Sequence, residues 1–126
     1  MKNKPEAISI VDDDASVCRG LAALVRSLGY PARTFGSGQE FLDSDALAHT
    51  ACLISDVRMP GMNGIELQAR LAAEGHRIPI IFIAANPDPG VMRQALSAGA
   101  IAFHTKPFDE EHFISSIERA LSDKAA

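Results

Sequence analysis

Ile8-Ser9-Ile10-Val11-Asp12-Asp13-Asp14 is a short apolar run that stops on three carboxylates. Three more runs share its form. Cys52-Leu53-Ile54-Ser55 stops on Asp56, Ile80-Ile81-Phe82-Ile83 stops on Ala84, and Ile101-Ala102-Phe103 leads to Lys106-Pro107. Segments with helical spacing separate the runs, which makes them strands of βαβ units in a parallel sheet. The carboxyl ends of parallel strands converge on one edge, and in open α/β sheets that edge binds ligands. Three of the four ends carry acid or ammonium chemistry. The fourth, Ala84, carries none.

Outward from these runs the alternation is strict. Asp14 caps a helix with Val17, Leu21, Leu24, Val25 and Leu28 on one face, and Gly29 ends it. A short second strand covers 32–35. Ser37-Gly38-Gln39-Glu40 has the form of a capping box, opening a helix that buries Phe41 and Leu42. Met59-Pro60-Gly61-Met62 is a turn, and Asn63 with Glu66 opens a third helix. The fourth strand is predicted over 78–84, followed by a helix begun by Asp88-Pro89 and broken by Gly99. Asp109 caps a last helix carrying Phe113, Ile117 and Leu121. Five strands and five helices form a doubly wound, three-layer α/β sandwich. The chain reads as one domain, 1–126, with a structured core over about 7–122 and a tail from Ser122 that frays or begins a linker.

Composition excludes several classes. The 126 residues are 47% apolar and 22% charged, with a formal net charge of -4 and no basic stripe. Nucleic-acid binding needs clustered Lys and Arg to displace counterions, so no direct nucleic-acid contact is expected. No apolar stretch reaches the length of a membrane span, and Met1-Lys2-Asn3-Lys4-Pro5 lacks the apolar core of a secretion signal. Cys18 and Cys52 have neither CxxC spacing nor a repeat, which favours a reduced, cytoplasmic setting.

The strand ends define a candidate site. Asp12 and Asp13 brought near Asp56 would repel one another unless compensated. A hard divalent cation such as Mg²⁺ resolves this with oxygen ligands, and Lys106 adds a second positive charge. Metal plus lysine suits a phosphoryl group, and a carboxylate held between them can serve as its acceptor. Singly, acidic runs are helix caps and Lys-Pro is a turn. Their joint placement at strand ends is what favours function.

The motifs IVDDD, ISDVRMPGMNGIEL and FHTKPF resemble those of the response-regulator receiver domain of two-component signalling, over nearly the whole chain. The RMPGMNG and KPF wording is closest to receivers that precede a LuxR-type helix-turn-helix in FixJ-like regulators. The resemblance implies a flavodoxin-like sheet of order 2-1-3-4-5. It further implies that Asp56 takes a phosphoryl group from a partner histidine kinase. Asp13 and Asp56 would bind Mg²⁺ through side chains, Arg58 through its backbone carbonyl and Asp12 through metal-bound water. Lys106 would pair with the phosphoryl group behind a cis Lys106-Pro107 bond. Phosphoryl transfer would be self-directed, ending in autodephosphorylation, so the chain is not an enzyme toward other substrates. Output would run through the fourth helix, fifth strand and fifth helix, as a homodimer contact or toward an effector or fused DNA-binding domain outside this chain. The effect would be transcription regulation.

One position departs from the family. At Ala84 receivers carry Thr or Ser, whose hydroxyl binds the phosphoryl group and lets an aromatic, here Phe103, turn inward. A charge-assisted hydrogen bond contributes about 1.5–3 kcal/mol, comparable to a typical intersite coupling. Losing it would remove most of the switch while sparing the chemistry, since the Asn86 amide and the backbone N–H groups of Ala84 and Ala85 remain for phosphate binding; the alternative is that Ala84 is a tolerated small residue, with the switch weakened but present. A phosphorylation-independent interaction module is the alternative function. A haloacid-dehalogenase-type phosphatase is disfavoured because Arg58 stands where a second Asp is needed. His49, His76, His104 and His112 are scattered without metal-ligand spacing, although His104 and His112 lie where a partner could touch them. Cys52 reads as core, Cys18 as a helix residue near the pocket mouth, and Arg19, Arg26 and Arg33 as solvated surface.

Overall fold

The computed structural model describes residues 6–125. Its strands are β1 (Ala7–Val11), β2 (Ala32–Phe35), β3 (Thr50–Asp56), β4 (Ile80–Ala84) and β5 (Ala102–Thr105). Its helices are α1 (Ala15–Ser27), α2 (Gly38–Asp43), α3 (Gly64–Ala73), α4 (Pro89–Ser97) and α5 (Glu110–Ala125). All strand pairs are parallel, in the order β2-β1-β3-β4-β5. This is the flavodoxin-like order that the family resemblance implies.

Side-chain alternation along the strands divides the core in two. Ile8, Ile10, Cys52, Ile54, Ile81 and Ile83 face α1 and α5, where Leu21, Val25, Phe113 and Ile117 meet them. Val11, Leu53, Ile80, Phe82 and Ala84 face the other way, onto Phe41 of α2, Leu67 and Leu71 of α3, and Ala95 of α4. β3 lies at the centre and is buried at all seven positions, as a strand covered on both faces must be. Its neighbour β1 contributes a buried Ser9 hydroxyl, 2.8 Å from the Thr50 hydroxyl, which in turn donates to the Ala46 carbonyl at 2.7 Å.

Three helices end in the same way. Gly29, Gly75 and Gly99 have φ of 94°, 81° and 104°, a region open to glycine because it lacks a Cβ. After each glycine the next N–H returns to the helix: Tyr30 to the Val25 carbonyl, His76 to Leu71, and Ala100 to Ala95. With Gly29, Gly75 and Gly99 donating to Arg26, Ala72 and Leu96, these are three Schellman motifs. All three turn the chain back into the sheet at the edge opposite the strands' carboxyl ends.

Several boundaries differ from the sequence reading. β4 begins at Ile80 rather than 78, because Pro79 has no N–H to enter a ladder, although its carbonyl accepts the Leu53 N–H at 2.9 Å. β5 runs to Thr105, and β3 starts at Thr50. A 3-10 turn, Asp45–His49, was not expected. Its signal is Ser44-Asp45, where the Ser44 hydroxyl accepts the Ala46 N–H at 3.1 Å. At Ser37 only half the expected capping box forms. Its hydroxyl accepts the Glu40 N–H, but the Glu40 carboxylate reaches past it to the Gly36 N–H at 2.9 Å. Asn63 and Glu66 complete the reciprocal pair at 2.8 Å each way. α5 continues through Ala125, beyond the expected end of order at 122. Met1–Pro5 and Ala126, where the leader and tail readings partly fall, lie outside the described residues.

Candidate functional site

β1, β3 and β5 deliver Asp12–Asp13, Asp56 and Lys106 to one edge of the sheet. Among the described residues, one group of acidic, His or Cys side chains is placed to hold a metal ion. It is Asp12, Asp13 and Asp56, with one oxygen of each within 4.8 Å of the others. Asp12 and Asp56 are buried and Asp13 is exposed. The Lys106 ammonium lies 3.4 Å from Asp12 Oδ2 and 3.6 Å from Asp56 Oδ2. One ammonium faces three carboxylates, so the local charge is undercompensated. Burial raises the Asp12 carboxyl above the usual carboxylate range, and the nearby Asp56 charge raises it further. The Asp14 N–H, donating to Asp12 Oδ1 at 2.9 Å, and Lys106 oppose that rise. An all-oxygen donor set with excess negative charge fits a hard divalent cation such as Mg²⁺. Such a cation would supply charge neutralisation and a rigid anchor for phosphoryl oxygens.

Backbone contacts fix the end of β3 that carries Asp56. Val57 N–H donates to the Ile83 carbonyl at 3.2 Å, and Gly64 N–H donates to the Val57 carbonyl at 2.8 Å. This brings the first turn of α3 against the end of β3. A Cβ on residue 64 would collide with the Asp56 carbonyl oxygen and lie 3.0 Å from the Phe82 ring, so only glycine fits. Lys106 N–H donates to the Ala84 carbonyl at 2.8 Å, aligning β5 with β4 where the lysine leaves the strand. The Lys106-Pro107 bond is cis, as the motif implied.

A cavity of about 190 Å³ adjoins Asp56, lined by Arg58, Ala84, Asn86, Phe103 and Lys106 among others. Ala84 is buried there and offers a methyl group in place of a donor. Phe103 is half-buried, 6.0 Å from the Phe82 ring, and borders the same cavity. Arg58 and Asn86 are exposed at its mouth.

The structure separates the remaining residues from the site, with exceptions that the sequence did not suggest. Cys52 is fully buried in β3, and burial pushes its thiol up to about 12. Cys18 is tied to the acidic loop, with its thiol donating to the Asp12 carbonyl at 3.4 Å. His104 packs edge-on against Phe113 and hydrogen-bonds the Ser116 hydroxyl at 2.8 Å, joining β5 to α5. His112 lies 3.7 Å from the exposed Asp109 carboxylate. His49 and His76 sit in the 3-10 turn and just after α3, away from the acids. Arg26 and Arg33 are not merely solvated: Arg26 donates to the Ala32 carbonyl, and Arg33 pairs with Asp45 at 3.2 Å.

Relatives agree with this geometry. Residues 8–118 match the family model described as the response regulator receiver domain. The response regulator protein TmoT of Ectopseudomonas mendocina is 45% identical over 121 residues, covering 96% of this chain and 55% of TmoT. FixJ of Bradyrhizobium diazoefficiens, a transcriptional regulatory protein, is 36% identical over 114 residues, covering 90% of this chain and 56% of FixJ. The chain thus spans about half the length of these curated relatives. Among solved structures, the response regulator StyR superposes with a TM-score of 0.90 at 43% identity, covering 97% of this chain and 62% of that one. FixJ-N gives 0.81 at 32% identity, covering 95% and 96%. No helix among the described residues is long and apolar enough to cross a membrane. Sheet order, acidic edge, lysine and relatives together make this chain a member of the response-regulator receiver family of two-component signalling.

Proposed function

We propose that Asp56 is the phosphoacceptor, that a histidine kinase is its donor, and that this chain works in the cytoplasm. The observation that carries this reading is the Asp56 carboxylate, buried at a strand end 3.6 Å from the Lys106 ammonium and clustered with Asp12 and Asp13. In the transfer, an Asp56 oxygen attacks phosphorus, the bond to the donor imidazole breaks, and the electron pair leaves with the imidazole nitrogen. Lys106 neutralises charge on the phosphoryl oxygens. Asp13 and Asp56 side chains and the Arg58 carbonyl would hold Mg²⁺, with Asp12 acting through a bound water. Hydrolysis of the acyl phosphate resets the domain, and no second substrate is involved. Output to a homodimer, or to the effector half that longer relatives carry, is assigned to the face of α4, β5 and α5.

The test is incubation with Mg²⁺ and a small acyl-phosphate donor, read by intact mass. One added phosphoryl group, absent in Asp56→Asn, is expected. Full labelling of Asp56→Asn would overturn the assignment.

A second reading, a phosphorylation-independent interaction module, is favoured by one observation. Phe103 already borders the cavity beside Ala84, where no side-chain hydroxyl exists to draw it in. Under this reading, Ala84→Thr gains a donor-dependent change in self-association that the unmodified protein lacks. Equal responses from the two proteins refute it.

A further inference from the structure

α4 is more lightly held than α3 on its face of the sheet. Its single fully covered side chain is Ala95, whereas α3 on the same face buries Leu67, Gln68 and Leu71. Leu96, on the outer side of α4, is 44% exposed. The seam between α3 and α4 is also poorly filled. A cavity of about 100 Å³ lies between Ile65, Ala69 and Ala72 of α3 and, across from them, Gln94 of α4 and its C-cap residue Ala98. A larger open cleft of about 570 Å³ continues from it toward His76, Ile80 and Ile101, at the edge opposite the acids. Gln68 borders both spaces.

Across that gap runs one polar contact. Gln68 is only 6% exposed, and its Nε2 donates to the Ala95 carbonyl at 3.0 Å. That carbonyl also accepts the Ala100 N–H of the turn after α4. Among the described residues, Gln68 is the side chain that hydrogen-bonds α3 to α4. At its other end α3 is fixed to the acceptor strand, through the Gly64 N–H to Val57 and the close seat of Gly64 under the Asp56 carbonyl. α3 therefore links the Asp56 backbone, at its first turn, to α4 through Gln68. Flanking voids leave α4 room to shift. The loop after β4 lacks a side-chain hydroxyl route, because Ala84 stands at its start.

We infer that Gln68 is a positioning residue that couples the state of Asp56 to α4 through α3. The inference rests on Asp56 being the phosphoacceptor, and its test separates the two claims. The unmodified protein, Gln68→Met and Gln68→Leu are each treated with Mg²⁺ and an acyl-phosphate donor. Intact mass reports phosphoryl uptake, and ¹H–¹⁵N spectra report the backbone amides of α4 and the side-chain amide of Gln68. Equal uptake in all three is expected, with the α4 shift changes at least halved in both variants. In the untreated variants, α4 amides should exchange roughly five- to tenfold faster, as losing one hydrogen bond implies. In the unmodified protein the Gln68 side-chain resonance should move on phosphorylation, a readout that needs no variant to fold. No uptake by the unmodified protein overturns the acceptor assignment and the coupling with it. Uptake with an unmoved Gln68 resonance, or with full α4 response in either variant, overturns the coupling alone.

Discussion

Gly64→Ala is the sharpest probe of how the site is built. The new methyl group would meet the Asp56 carbonyl oxygen, the Phe82 ring at 3.0 Å and the Val57 Cα at 3.1 Å. Two of those three are backbone atoms, and the ring is fully buried, so no neighbour can rotate away. Overpacking of this kind costs about 1–3 kcal/mol, and the rigid surroundings place it near 3. Alanine's better helix propensity offsets at most about 1 kcal/mol, and less at the first helical position. The net loss is about 2 kcal/mol. For a domain of this size, roughly 3–5 °C per kcal/mol gives a fall in Tm of about 6–10 °C. Circular dichroism at 222 nm measures it directly. Because the displaced atoms belong to Asp56 and Val57, phosphoryl uptake at a fixed donor concentration should fall as well. A melt within about 2 °C of the unmodified protein, with unchanged uptake, would refute the claim that the α3 terminus must sit this close to Asp56.

Three further outcomes are expected. Asp12 holds its proton more tightly when folded than unfolded, so its contribution favours folding in acid and is lost as pH rises through the folded-state pKa. Asp12→Asn should therefore melt higher than the unmodified protein at pH 7 without Mg²⁺, with the difference vanishing near pH 3 and Mg²⁺ stabilising the variant less. His104 shifts the opposite way, held below its usual range first by burial and then by His112 and Arg119. Its stabilising contribution is intact above about pH 6.5 and drains away as pH falls, so His104→Gln should flatten the stability profile between about pH 6.5 and 5. Cys52 is buried with its thiol pushed up to about 12, so iodoacetamide at pH 8 should leave it unmodified in the native protein and alkylate it in denaturant, as counted by mass.

The fold was legible because its signals are local and repeated. Each strand is a short apolar run, and each helix opens on a capping residue that the structure uses as expected at Asp14, Asn63, Asp88 and Asp109. Asp12, Asp13, Asp56 and Lys106 converge because strand ends in a parallel sheet must share an edge. What remained hidden depends on distance across the fold. Gln68 looks like any helical polar residue until α4 covers it, and His104 gains a partner only when α5 brings Ser116 to it. Cys18 was legible as a helix residue near the pocket mouth, but not the bond its thiol donates to the Asp12 carbonyl. Boundary errors have smaller causes, such as Pro79 leaving the ladder and a 3-10 turn too short to show periodicity.

The three glycine-ended helices have a consequence at the far side of the molecule. The Schellman turn at Gly99 leaves only two residues before β5, so it sets where that strand starts counting. β5 is read out a full strand length away, at Lys106. One residue inserted between Gly99 and Ala102 would advance β5 by about 3.3 Å and reverse its faces. His104 would then point toward α4, and the lysine would leave the acids. The acidic edge is thus calibrated from the opposite rim, at the plain turn that precedes β5.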